Sequence, residues 1–160
     1  MKIGIIIVFE TNENQIERQF FIDQINQSKS IEFCLVDNDS KDKTLQLLKY
    51  IKEVCFSNVS VVEIKKNSSE EVAVRAGARF MFNNYNLKHI GFISVNAINA
   101  KNYNLTDLIE TVCSNKDFII DYNVKTIENK AIRPTLFKRV FSVIDYINNL
   151  STNVNIIKSL

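Results

Sequence analysis

Tryptophan is absent, proline occurs once and glycine three times in these 160 residues. So little Gly and Pro excludes a collagen-like chain, a proline-rich linker and low-complexity disorder. Cysteine is scarce as well. Cys34, Cys55 and Cys113 are an odd set without a CxxC pair. That spacing makes neither a zinc site nor a disulfide framework, and buried, reduced thiols are expected. The single histidine, His89, has no Cys or acid at metal-ligand spacing and reads as structural. Neither sign of charge dominates, because 20 Lys and Arg face 18 Asp and Glu for a net charge of +2. No nucleic-acid partner is expected from such a balance, since that needs a clustered basic face. Nowhere do about 18 apolar residues run together, so no membrane span is expected. The opening MKIGIIIVFETNE stops being apolar at Glu10, and no small-residue cleavage site follows it. A secretory leader is therefore not expected, and the expected location is cytoplasmic.

What is present is ordinary for a globular chain, with 46% hydrophobic and 24% charged residues. The length suits one domain spanning residues 1–160, and a chain of this size buries about 70% of its unfolded surface. Short apolar runs alternate with helical patterns. Strands are expected at Lys2–Phe9, Glu32–Val36, Val59–Ile64, His89–Val95 and Asp117–Tyr122. Helices are expected at Asn14–Asn26, Lys43–Phe56, Ser69–Tyr85, Leu105–Cys113 and Pro134–Leu150. The first strand is continuously β-branched, as in a strand buried on both faces. Pro134 suits the first turn of the last helix, where its missing N–H costs nothing. This order predicts an α/β fold, a single mostly parallel twisted sheet with helices on both faces. Ligands in such sheets bind beyond the carboxyl ends of the strands, where the strand order reverses. The informative residues are thus those that follow each strand.

The first strand ends in Phe9-Glu10-Thr11-Asn12-Glu13 without a glycine. A dinucleotide site needs glycines there to let the backbone approach a pyrophosphate, so NAD, FAD and P-loop readings fall away. The second strand ends in Val36-Asp37-Asn38-Asp39-Ser40-Lys41-Asp42. Counted from Asp37 as a calcium loop, the fifth, sixth and twelfth positions hold Lys41, Asp42 and Leu48, which does not fit. Ser40 or Asp42 suits a cap for the next helix. Asp37 directly follows a buried strand, where a carboxylate would accept from the N–H of a base or from a ribose hydroxyl.

Three segments, in order, carry a resemblance. CLVDNDSKDKT is similar to the VVDDGSTDGT segment of family-2, GT-A-type glycosyltransferases, with Asp37, Ser40, Asp42 and Thr44 matching and Asp39 in the Gly slot. Asn67 through Gly77 resembles the NxGKGxAVRxG stretch of the polyprenyl-phosphate sugar synthase branch, with Asn67, Ala73, Val74, Arg75 and Gly77 aligned. IGFISVNAI aligns with the strand that delivers the family's Asp-x-Asp. The resemblance spans roughly Ile3 to Tyr122. It implies a GT-A-type nucleotide-diphospho-sugar-binding fold. It also implies transfer of a sugar to an acceptor such as a glycan or a lipid phosphate. The site it implies comprises Glu10, Thr11, Asp37, Asn67, Arg75, Ser94 and Asn96. Asp37 and the first strand end would hold the base, and Arg75 would contact phosphate, which a guanidinium matches bidentately.

The departures fall on the chemistry. Val8-Phe9-Glu10-Thr11 occupies the slots where the family usually has Pro-x-Tyr-Asn. Ser69, Glu70 and Glu71 replace Gly-Lys-Gly. Ser94 and Asn96 replace both acids of the Asp-x-Asp, whose task is to hold Mg²⁺ or Mn²⁺ against the diphosphate. Without those carboxylates a metal is held only weakly, and no cofactor is certain. No catalytic base is assigned, since nothing fixes the geometry of Asp121 or Glu128. The alternative reading is a catalytically inactive relative that binds a nucleotide, a partner protein or a second copy of itself. A receiver-like phosphoacceptor at Asp37 is a third reading, poorly served by Glu10 and Glu13. The apolar side of Pro134–Leu150, beside Arg133, Lys138 and Arg139, allows at most peripheral membrane contact.

Overall fold

The computed structural model describes residues 2–128 and 140–149. Five strands lie side by side in the order β3-β2-β1-β4-β5. They are β1 (Ile3–Phe9), β2 (Ile31–Asn38), β3 (Val59–Ile64), β4 (Ile90–Ser94) and β5 (Val140–Ser142). Every pairing is parallel. The expected α/β architecture is therefore present. β1 lies at the centre and every one of its residues is buried, which explains its unbroken apolar run.

Side chains alternate between the faces of the sheet, and the two faces carry separate cores. Ile3, Ile5, Ile7 and Phe9 of β1 pack with α1 (Arg18–Gln27), α2 (Thr44–Val54) and α5 (Leu105–Ser114). Ile6 and Val8 pack on the other face with α3 (Glu70–Asn84). Ala73, Ala78 and Met81 of α3 are fully buried there. Between them stands Gly77, where an added Cβ would lie 2.9 Å from Ile6 Cγ2 and 3.0 Å from Val36 Cγ2. Glycine here lets α3 settle onto β1 and β2 and fixes its height over the sheet.

Most expected elements occur with small shifts of their ends. The strand expected at His89–Val95 gives way at Ser94 to a short helix, α4 (Val95–Ala100). The helix expected at Asn14–Asn26 is interrupted. A 3-10 turn spans Glu13–Gln15, Ile16 and Glu17 are extended, and α1 begins at Arg18.

Two expectations are overturned. Asp117–Tyr122 is not the fifth strand but part of α6 (Lys116–Glu128). A strand would place Phe118, Ile120 and Tyr122 on one face. Instead Phe118 is 68% exposed, while Ile119, Ile120 and Asn123 are buried at helical spacing. The fifth strand lies inside the expected last helix, at Val140–Ser142, and residues 143–149 are helical. Val140 pairs with Ile90 and Phe141 with Gly91, whose missing side chain makes room for the Phe141 ring. The remainder of the expected Pro134–Leu150 helix, and the basic segment from residue 129 to Arg133, lie outside the described residues.

Candidate functional site

The strand order reverses between β1 and β4, and the loops that follow β1, β2, β3 and β4 meet at that carboxyl edge. Register places the residues. Phe9 lies beside Asp37, and Val8 lies beside both Val36 and Ser94. Asp37 is therefore held on a rigid strand with 2% of its surface exposed. Its Oδ2 accepts from the Ser40 N–H at 3.3 Å, while its Oδ1 is buried without a hydrogen-bond partner among the described residues. Burial pushes its carboxyl above the ordinary range, against the opposing hydrogen bonds from Ser40, and the carboxylates of Glu63 and Asp39 push the same way. An orphaned buried oxygen of this kind costs stability unless a donor reaches it, and among the described residues the buried Tyr146 hydroxyl is in the same state.

Around Asp37 the loops are tied to one another by side chains. Asn67 Nδ2 donates to Glu10 Oε1 at 2.7 Å, joining the β3 and β1 ends. Asn38, 1% exposed, donates to Ser68 O at 2.8 Å and accepts from the Ser68 N–H and hydroxyl at 3.0 Å each. Asn12 is buried and serves three elements. Its Oδ1 accepts from Glu10 N–H, its N–H donates to Thr44 Oγ1 at 2.8 Å, and its Nδ2 donates to Asn96 Oδ1 at 2.9 Å. Asp42 receives Thr44 N–H at 2.9 Å, the Thr44 hydroxyl at 2.6 Å and Glu13 N–H at 3.0 Å. Burial alone would raise its carboxyl, but these donors outweigh burial and hold it below the ordinary range. Asp42 thus fastens the start of α2 from one residue before the N-cap, which is Lys43 and not Ser40 or Asp42 as expected. Ser40 instead accepts from Thr11 N–H at 2.9 Å.

Two residues of these loops have left-handed backbones, Thr11 (φ 56) and Asp39 (φ 54). Glycine and asparagine tolerate that conformation best. The resembled motifs carry Asn at the Thr11 slot and Gly at the Asp39 slot. Asp39 is held in place by Lys41 Nζ at 2.8 Å and Asn67 N–H at 3.2 Å, both on its Oδ2. Lys41 holds its carboxyl below the ordinary range.

Of the residues singled out in the sequence, hydrogen bonds and register place Glu10, Thr11, Asp37, Asn67, Ser94 and Asn96 along this edge. Arg75 stands apart. It is exposed on α3, and its ion pair, 2.7 Å to Glu71, is local to that helix. Asn12 and Asn38 do as much of the assembly as any of these, yet neither is a charged or catalytic type that a motif search picks out. Their only signal is an amide at the end of a buried strand or within three residues of it.

The residues present do not fit the family's metal. Ser94 ends β4 with no side-chain cap bond to α4. Asn96 gives its amide oxygen to Asn12 and its Nδ2 to Glu10 O at 3.4 Å. Both are neutral, whereas Mg²⁺ and Mn²⁺ favour carboxylates. Among the described residues no group of three or more His, Cys, Asp or Glu converges as a metal site. The three thiols are free, and burial pushes that of Cys34 up to about 12, which leaves it unreactive at neutral pH. Among the described residues no helix is long and apolar enough to cross a membrane.

Solved structures show a partial likeness. The mannosyltransferase PcManGT from Pyrobaculum calidifontis, in complex with GDP-Man and Mn²⁺, is 19% identical over 49% of this chain and 24% of its own, with a TM-score of 0.43. TarS 1–349 from S. aureus, in complex with UDP-GlcNAc, is 18% identical over 59% of this chain and 26% of its own, with a TM-score of 0.47. The chain spans about a quarter of the length of each. No family model and no curated protein matches the chain.

Proposed function

We propose that this chain is a glycosyltransferase-like protein that binds a nucleoside-diphosphate sugar across the ends of β1, β2 and β4 and passes the sugar to a glycan or lipid-phosphate acceptor. The observation that carries the reading is Asp37. It is a buried carboxylate with one unpartnered oxygen, at the reversal of strand order, inside the segment that resembles the family's base-binding motif. The left-handed backbones at Thr11 and Asp39 support the same alignment, because they fall on that family's Asn and Gly slots. The free Asp37 oxygen suits a base with an N–H to offer, whether the ring N–H of uracil, thymine or guanine or an exocyclic amine. Glu10, Thr11 and Asn67 flank the ribose, Ser94 and Asn96 face the diphosphate and sugar, and Arg75 reaches a phosphate by leaving Glu71. Binding of this kind proceeds without a carboxylate-held metal.

A second reading keeps the binding and drops the transfer. It is favoured by Asn96, whose amide is committed to Asn12 and Glu10 where the family has a metal-binding acid. Thermal-shift titration with UDP-, GDP- and dTDP-sugars, with and without Mn²⁺, tests both. The expected result is a rise in Tm that does not depend on Mn²⁺ and is lost in Asp37→Ala. No shift with any donor overturns the binding. Donor hydrolysis or sugar transfer that disappears in Asp37→Ala rules out the non-catalytic reading.

A further inference from the structure

A groove of about 610 Å³ runs beside the carboxyl edge, between the 3-10 turn, α4 and the start of α5. Its lining is unlike that of another, larger groove. There, along α1 and α2, Glu13, Arg18, Asp42, Lys43, Lys49 and Glu53 place charges of both signs around about 830 Å³. The smaller groove has one charged residue, Glu17, and five side-chain amides, Asn14, Gln15, Asn99, Asn102 and Asn104. Such a lining offers paired donors and acceptors, which matches vicinal hydroxyls, while Glu17 and the lack of any cation in the lining disfavour a phosphate or a carboxylate.

The groove is built rather than incidental. Asn99 Nδ2 donates to Gln15 Oε1 at 2.9 Å. This bond repeats, three residues further along both segments, the Asn12–Asn96 bond at the proposed donor site. Two amide rungs therefore clamp the 3-10 turn to α4, and the second forms the near wall of the groove. Tyr103 lines it as well, with its hydroxyl anchored on Asn148, so that its ring is fixed as a flat apolar surface. Asn102 has a left-handed backbone (φ 60), and its side chain and that of Asn14 are exposed, with no protein hydrogen-bond partner among the described residues.

We propose that this groove binds a neutral, hydroxyl-rich carbohydrate, and that this carbohydrate is the acceptor of the sugar. The acceptor role rests on the nucleotide-sugar reading above. The binding does not. Free amides of Asn14 and Asn102 take the hydroxyls, and the Tyr103 ring covers an apolar sugar face.

The test is amide NMR on the full chain, titrated with neutral trisaccharides (maltotriose, cellotriose, chitotriose) and with trigalacturonate as the acidic control. Donor sugars are titrated separately and followed at Asp37. The expected result is millimolar binding of at least one neutral trisaccharide, with shifts at the side-chain amides of Asn14 and Asn102 and none from trigalacturonate. Asn14→Ala and Asn102→Gly, the latter keeping the left-handed backbone, each weaken it about fivefold to tenfold, the worth of one or two hydrogen bonds, and leave the donor titration unchanged. No neutral saccharide at these amides, or equal binding of trigalacturonate, overturns the proposal while donor binding stands or falls by itself. Saccharide binding in a chain that binds no donor upholds the site and overturns its role as acceptor.

Discussion

At the amino ends of the strands, Asn58 donates to the carbonyls of Ile25, Ser28 and Ile31 at 3.1, 3.3 and 3.2 Å. Lys2 meets buried Glu32 at 2.8 Å, and buried His89 pairs with Asn123 at 2.8 Å. At the carboxyl ends the same residue types, Asn above all, also tie loops together. The difference is in what is left over. Among the described residues the buried polar side chains of the amino end, Asn58, Glu32, His89 and Asn123, are all partnered, while Asp37 at the carboxyl end keeps an unpartnered oxygen under a raised carboxyl. One end is satisfied internally and serves stability. The other keeps an acceptor that a donor from outside the protein can satisfy, and two left-handed residues sit beside it.

Substitutions at the two ends should therefore separate. The largest effect is expected at the amino end. Asn58→Ala removes three side-chain bonds, although the carbonyls of Ile25 and Ser28 keep backbone donors from Ser28 and Ile31, and should lower the unfolding free energy by about 2 kcal/mol, read by urea denaturation, with nucleotide affinity per folded molecule unchanged. A loss of affinity there would break the division. Next is Asp37→Asn, which should weaken UDP- or GDP-sugar binding about thirtyfold, the worth of a hydrogen bond to a charged acceptor, in calorimetric titration. The pH dependence sharpens this. The folded carboxyl is raised above 3.8 by burial, so the folded state holds its proton longer than the unfolded chain. Stability should fall as pH rises from near 3.8 through the raised value, and this descent should be missing in Asp37→Asn. The smallest effect concerns backbone. Asp39→Ala should be less stable than Asp39→Gly by about 1 kcal/mol, because alanine resists the left-handed region that glycine accepts. Equal Tm values would mean that Asp39 does not hold that conformation in solution.

β1, β2 and β4 were legible because burial on both faces writes itself as short apolar runs, the edge strand β3 because it is rich in β-branched residues, and α2, α3 and α5 because one face of each is apolar. The fifth strand was not. Val140-Phe141-Ser142 is three residues inside a pattern that reads as an amphipathic helix, and DFIIDY offers an aromatic, Ile-rich window too short to reveal a 3.6-residue period. In the site, Asp37 stood out as a carboxylate past a buried strand. The Asn12–Asn96 and Asn99–Gln15 rungs did not, because each pairs residues 84 apart in a chain where Asn is common. Arg75 was singled out by its motif position alone, and its pairing with Glu71 on α3 could not be read from that motif.

Among the described residues β3 pairs on one side alone, with β2, so its other side presents unpaired backbone groups. VSVVEI is the kind of β-branched segment that recruits a further strand from another molecule. Glu63, with Lys49 at 3.8 Å, and the Lys65-Lys66 pair that follows place charge along that border. They act as gatekeepers against strand addition at that border, and Glu63 does so while lying beside Asp37 in the neighbouring strand.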